Sequence, residues 1–140
     1  MSQLIHEVMT ERPVTVAPQV SLSEAARKMR DADIGDVLVV DDGMLRGILT
    51  DRDLVVRAMA EDRDPAQTSV QNVCSAQPVT VGPDDGIDRA VALMREHALR
   101  RLPVTEDDGK LVGIVSIGDL ALDKDPSSAL ADISSAEANT

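Results

Sequence analysis

Aromatic residues are absent: the chain has no Phe, Trp or Tyr. Its core must be built from Val, Leu, Ile, Ala and Met. These pack as densely as aromatics do, so folding is not put in question. What is lost is the stacking platform on which binders of single-stranded nucleic acid lay their bases. Basic charge is short as well. Lys and Arg number 14 against 25 Asp and Glu, a formal net charge of −11, and binding to a phosphate backbone needs a basic surface. Both shortages argue against a nucleic-acid partner, and the acidity reads as solubility. The single cysteine, Cys74, rules out an intramolecular disulfide. His6 and His97 stand alone, without metal-ligand spacing, so no metal site is expected. No apolar run approaches the roughly 20 residues that span a bilayer. Met1 to Met9 lacks the charged, apolar and small-residue order of a secretory leader. The expectation is a soluble, cytoplasmic protein with no membrane partner. There is no nucleophile elbow, paired-histidine motif or Walker loop, so no catalytic residue is assigned and an enzyme is not expected.

What is present is a repeat. Pro13-Val14-Thr15-Val16 returns as Pro78-Val79-Thr80-Val81. Before it, Ile5 and Val8 match Val70 and Val73. After it, Ala25 matches Ala90, Met29-Arg30 matches Met94-Arg95, and Val39 matches Val104. One residue is inserted near Asp108, and then Gly47-Ile48 meets Gly113-Ile114 and Asp53-Leu54 meets Asp119-Leu120. Units of roughly 60 residues bury too little surface alone, so two copies sharing a core would serve a chain of 140 residues. We expect repeats over 1–64 and 65–125, and a tail over 126–140 with a short helix before frayed residues.

Each copy has the same element order. Val14 to Val16 is a short strand. Ser21 caps a helix, with Glu24 three residues on, and Leu22, Ala25, Ala26 and Met29 make its apolar stripe. Val37 to Val40 is continuous and β-branched, as in a buried strand. Asp41-Asp42-Gly43 is a hairpin turn, Leu45 to Leu49 the returning strand, and Thr50 caps a second helix. In the second copy Ile87, Ala90, Val91 and Met94 form the stripe, Leu102 to Thr105 and Leu111 to Val115 the hairpin, and Ser116 the cap. The fold class is α/β, as two βαββα units.

Two elements could carry chemistry: Gly47-Ile48-Leu49-Thr50-Asp51-Arg52-Asp53 and Gly113-Ile114-Val115-Ser116-Ile117-Gly118-Asp119. In each, a strand ends and a hydroxyl residue opens a helix. A helix start offers free N–H groups and partial positive charge to an anion. A carboxylate one turn on can accept both hydroxyls of a ribose. The plainer account is that Thr50 with Asp53, and Ser116 with Asp119, only cap their helices. On the local pattern alone, capping comes first.

Glycine, two apolar residues, Thr or Ser, two variable residues and Asp resembles the signature of CBS domains. Its double occurrence, with the same element order, is similar to a CBS pair, and to short stand-alone bacterial CBS-pair proteins in particular. The resemblance runs from about Val8 to about Leu120. It implies two repeats related by pseudo-twofold symmetry, sheets back to back and helices outside, with two clefts between them. It also implies a non-catalytic regulatory module that binds AMP, ADP, ATP or a related ligand such as S-adenosylmethionine. A homodimer and an unidentified protein partner are implied too. By the resemblance, Asp119, Ser116, Arg100, Arg101 and Pro103 share one cleft with Thr15, Val16 and Ala17. Asp53, Thr50, Arg52 and Asp36 share the other with Thr80, Val81 and Gly82. Arg101 falls where the family's arginine reaches ligand phosphate, and Asp36 holds that place in the first copy. Two charges about 4 Å apart interact by about 4 kcal/mol at an effective dielectric near 20, so the Asp119 cleft is favoured. Pairing of Arg100 and Arg101 with the acidic surface stands as the alternative. So does a ligand-free dimerisation or stress-associated role.

Overall fold

The apolar stripe at Leu22, Ala25 and Met29 needs a helix with a defined start, and Ser21 supplies it. In this computed structural model, which describes residues 3–76 and 79–124, Ser21 Oγ accepts the Glu24 N–H at 3.2 Å. Helix α2 (Leu22–Ala32) then runs to Asp33, which turns left-handed with φ 55°. The stripe is buried at Leu22, Ala25 and Met29, while Ala26, expected in it, lies one residue round the helix from Ala25 and is exposed. The stripe covers a sheet in which β1 (Thr15–Val16) lies parallel to β2 (Asp36–Asp41), and β2 antiparallel to β3 (Met44–Thr50). The β2–β3 hairpin turns through Asp42 and Gly43 with φ 53° and 79°, the positive pair that matches the twist of the flanking strands. The second copy repeats the pattern with α4 (Ile87–His97), β5 (Arg101–Thr105), β6 (Leu111–Ser116) and α5 (Ile117–Lys124). The expected tail over 126–140 lies outside the described residues.

The helix after β3 departs from the expected pattern. Helix α3 (Asp51–Asp53) is one turn, and the chain continues as a π-helical stretch, Leu54–Met59. There the Ala60 N–H reaches the Val55 carbonyl at 2.9 Å, the i→i+5 bonding of a π turn. Ala58 faces the core, while Val55, Val56 and Met59 stay exposed.

The compact units differ from the repeats in one respect. One unit holds the described residues from Pro13 to Ala76; the other holds those up to Arg12 together with those from Val79 on. Each repeat has therefore given its leading segment to the other's unit. In the unit of the first repeat, Val70 and Val73 join Val16, Leu22, Ala25, Val39 and Leu49. There β4 (Ser75–Ala76) pairs antiparallel with β3 as a fourth strand. In the unit of the second repeat, Ile5, from helix α1 (Ile5–Val8), joins Val81, Ile87, Ala90, Leu102, Val104 and Val115. Val81 bridges Val104 in parallel and Thr10 bridges Ile114 antiparallel. Both units thus have one order: first strand, hairpin, foreign leader. Ile5 and Val70, matched in the repeats, are each 0% exposed.

Candidate functional site

Both motifs lie where the last strand of a hairpin runs into a helix. At the end of β6, Ser116 Oγ accepts the Asp119 N–H at 3.1 Å, and Asp119 Oδ2 accepts the Ser116 N–H at 2.9 Å. At the end of β3, Thr50 Oγ1 accepts the Asp53 N–H at 3.1 Å, and Asp53 Oδ2 accepts the Thr50 N–H at 3.0 Å. These reciprocal bonds are capping boxes, and they satisfy donors that a helix start leaves open. The capping account therefore holds for all four residues. It does not exhaust the carboxylates, because two oxygens offer about four lone-pair positions and the box uses one.

Strand register sets a charge opposite each hydroxyl. Arg101 pairs with Ser116, and Asp36 pairs with Thr50. The carbonyl of Arg100 accepts the Ile117 N–H at 2.8 Å, as that of Gly35 accepts the Asp51 N–H at 2.9 Å. One end of the second sheet thus gathers Arg100, Arg101, Ser116 and Asp119. The matching end of the first gathers Asp36, Thr50, Arg52 and Asp53. The three arginines are exposed and the motif residues half-buried. Asp51 adds a further acid that the sequence reading did not single out. Its Oδ1 accepts the Arg52 N–H at 2.8 Å, and its Oδ2 lies 3.0 Å from where a Cβ on Gly35 would stand. The signal was there: Ile117 takes its place in the second motif.

The other expected residues lie as follows. Thr15 and Val16 form β1, with the Lys28 ammonium donating to the Thr15 carbonyl at 3.0 Å, and Ala17 follows half-buried. Thr80 is half-buried, Val81 buried, and the Gly82 N–H donates to Asp85 Oδ2 at 2.8 Å. Pro103 is fully buried, and its carbonyl accepts the Val81 N–H at 3.1 Å. Thr15 to Ala17 belong to the unit that holds Asp53, and Thr80 to Gly82 to the unit that holds Asp119.

Each unit also has an apolar groove on its helical face. One, of about 340 Å³, is lined by Val91, Met94, Leu99, Ile117 and Leu120. The other, of about 570 Å³, is lined by Leu22, Ala26, Leu54, Ala58 and Met59. Neither lining includes a motif hydroxyl or carboxylate. His6 and His97 are exposed. Among the described residues, no three His, Cys, Asp or Glu side chains come together in a way that could hold a metal ion.

Cys74, in the leader packed on the first repeat, sits beside this chemistry. Burial pushes its thiol pKa up, the Asp53 carboxylate adds to the rise, and the Arg57 guanidinium opposes it. The unfolded chain therefore ionises this thiol first. The stability linked to the neutral thiol is fully present below the ordinary thiol pKa and is lost as pH climbs from there through the raised native value. Alkylation at mildly alkaline pH should run slower in the native protein than in urea, since the thiolate is the nucleophile. Equal rates would contradict this account of the thiol.

The CBS domain family model matches residues 5–59 and 70–122. The CBS domain-containing protein YhcV of Bacillus subtilis is 41% identical over 120 residues, covering 86% of this chain and 84% of that protein. Hypoxic response protein 1 of Mycobacterium tuberculosis is 34% identical over 116 residues, covering 82% and 80%. Among solved structures, Hypoxic Response Protein I with two coordinated zinc ions is similar with a TM-score of 0.78 and 32% identity, covering 85% of this chain and 97% of that one. CBSX2 in complex with AMP is similar with a TM-score of 0.76 and 25% identity, covering 86% and 95%.

Proposed function

This chain belongs to the CBS-domain family, as a tandem pair that makes a regulatory module, and from that premise we propose that it is a non-catalytic sensor of an adenosyl ligand. The second-repeat motif is the site. The observation that carries the reading is the meeting of Ser116, Asp119 and Arg101 at one strand–helix junction. Asp119 has an oxygen outside the capping box for a ribose hydroxyl. The start of α5 offers its dipole to a phosphate, and Arg101, with Arg100 beside it, adds positive charge at the same junction. AMP bound to the similar CBSX2 supports this ligand class. In the first motif Asp36 stands where Arg101 does in the second, Asp51 adds a further acid, and the free oxygen of Asp53 lies 3.9 Å from Arg57, so in this reading Thr50 and Asp53 act chiefly as caps. With a net charge of −11, nucleic acid is not a partner in this reading, and the protein works in the cytoplasm. Isothermal titration with AMP, ADP, ATP and S-adenosylmethionine is the test. Heat with at least one, lost in Asp119→Ala, is expected; no heat with any of the four removes the proposal.

A second reading is a dimerisation and docking module. Val55, Val56 and Met59 are 53%, 44% and 71% exposed beside the larger groove, and Ile117 is 41% exposed beside the smaller one. Exposed apolar surface beside a groove marks an interaction face, and a second copy of this chain presents the same apolar residues. Sedimentation equilibrium should find a homodimer that Val55→Asp with Met59→Asp converts to a folded monomer. A monomeric wild-type protein would contradict this reading.

A further inference from the structure

The motif glycines are occupied from outside their own repeats. A Cβ on Gly113 would stand 2.7 Å from Met9 Sδ and 2.8 Å from the Thr10 carbonyl oxygen. A Cβ on Gly47 would stand 2.6 Å from the Ser75 carbonyl oxygen and 2.9 Å from Cys74 Sγ. Both glycines are buried. Neither has a positive φ, so it is close approach, and not backbone conformation, that requires glycine here. One device is thus built twice: a sulfur side chain and a backbone carbonyl of the foreign leader, seated on the motif strand. Hydrogen bonds fasten the seat. The Thr10 N–H donates to the Ile114 carbonyl at 2.8 Å, and the Ile114 N–H to the Thr10 carbonyl at 3.0 Å. Further along, the Ile5 N–H donates to the Asp85 carbonyl at 2.9 Å.

The seat and the motif share a strand. Gly113, Ile114 and Ser116 all lie in β6. We propose that the leader Gln3–Thr10 is a strap whose docking on Gly113 and Ile114 is governed by occupancy of the Ser116–Asp119 motif. The inference rests on the reading of that motif as a nucleotide site. A ligand that fixes the end of β6 raises the free energy of opening that strand, and the two bonds to Thr10 open with it. Linkage makes the effect mutual: the factor by which ligand tightens the strap is the factor by which the strap tightens ligand. Because the leader runs directly into the first repeat, binding in one repeat is passed to the chain that enters the other. That supplies an output without any catalytic step.

Amide hydrogen exchange on the full chain, with and without AMP, tests this, with calorimetry on the same sample. Saturating AMP should slow the Thr10 and Ile114 amides by about tenfold, within the usual range of coupling between sites. The Leu38 amide, bonded to the Val14 carbonyl in the other unit, should change much less. Gly113→Ala should speed exchange at Thr10 and weaken AMP by a similar factor. Should that variant fail to fold, Met9→Ala removes the seated sulfur without a clash and should act in the same direction. Bound AMP with unchanged exchange at Thr10 and Ile114 overturns the strap and leaves the nucleotide site standing. A freed leader with unaltered AMP affinity overturns it as well. If AMP does not bind, the same exchange is read with whichever of ADP, ATP and S-adenosylmethionine gives heat; absence of binding by all four removes the site as read, and the strap with it.

Discussion

Ile5→Ala is expected to destabilise the protein by about 2–5 kcal/mol, the range for truncating a buried aliphatic side chain to alanine. Position in the sequence would lead to the opposite estimate, since a side chain this near the start of a chain is ordinarily tolerant. Burial decides it. Ile5 is 0% exposed and packs with Val81, Ile87, Leu102, Val104 and Val115 of the second repeat. The surrounding backbone is held by bonds from Ile5 to Asp85 and from His6 to Pro83, both 2.9 Å, so the site cannot collapse freely to fill the cavity. Urea unfolding gives the loss. Hydrogen exchange should locate it in the unit of the second repeat, not the first. A loss below about 0.5 kcal/mol, as for an ordinary surface substitution, would contradict the exchange of leaders.

Nucleotide at 100 times its dissociation constant should stabilise the native protein by about 2.7 kcal/mol through mass action. Asp119→Ala should remove most of that gain, and Asp53→Ala much less. Each substitution also removes the hydrogen bond from the motif hydroxyl residue's N–H to the carboxylate, which costs about 1 kcal/mol of stability on its own. The comparison is therefore the ligand-induced change in melting temperature within each variant, not the melting temperature itself. The physical difference lies across the strand: Arg101 opposite Ser116, and Asp36 opposite Thr50. Equal losses from the two substitutions would contradict the ranking of the motifs.

Much of this was legible in the sequence. The duplicated motif, the stripe at Leu22, Ala25 and Met29, and the Asp42-Gly43 turn are local patterns, and local patterns set local structure. The contrast between Asp36 and Arg101 was legible once the repeats were aligned. The exchange of leaders was not. Ile5 and Val8 have the same spacing and character as Val70 and Val73, and an apolar pair does not say which of two equivalent cores it fills. Gly47 and Gly113 read as letters of a motif because the atoms that crowd them come from distant residues. The π stretch was hidden because Leu54 and Ala58 fit a helical stripe with either winding. Asp51 is not legible as part of the site, because one acid beside a capping pair has the character of an ordinary dipole complement.

The most direct test is a titration of the isotopically labelled full chain with AMP, ADP, ATP and S-adenosylmethionine in turn, followed amide by amide. The account predicts saturable shifts at Arg101, Ser116 and Asp119, before any at Thr50 or Asp53. Shifts centred on Thr50 and Asp53, or none at any of these amides, would contradict it.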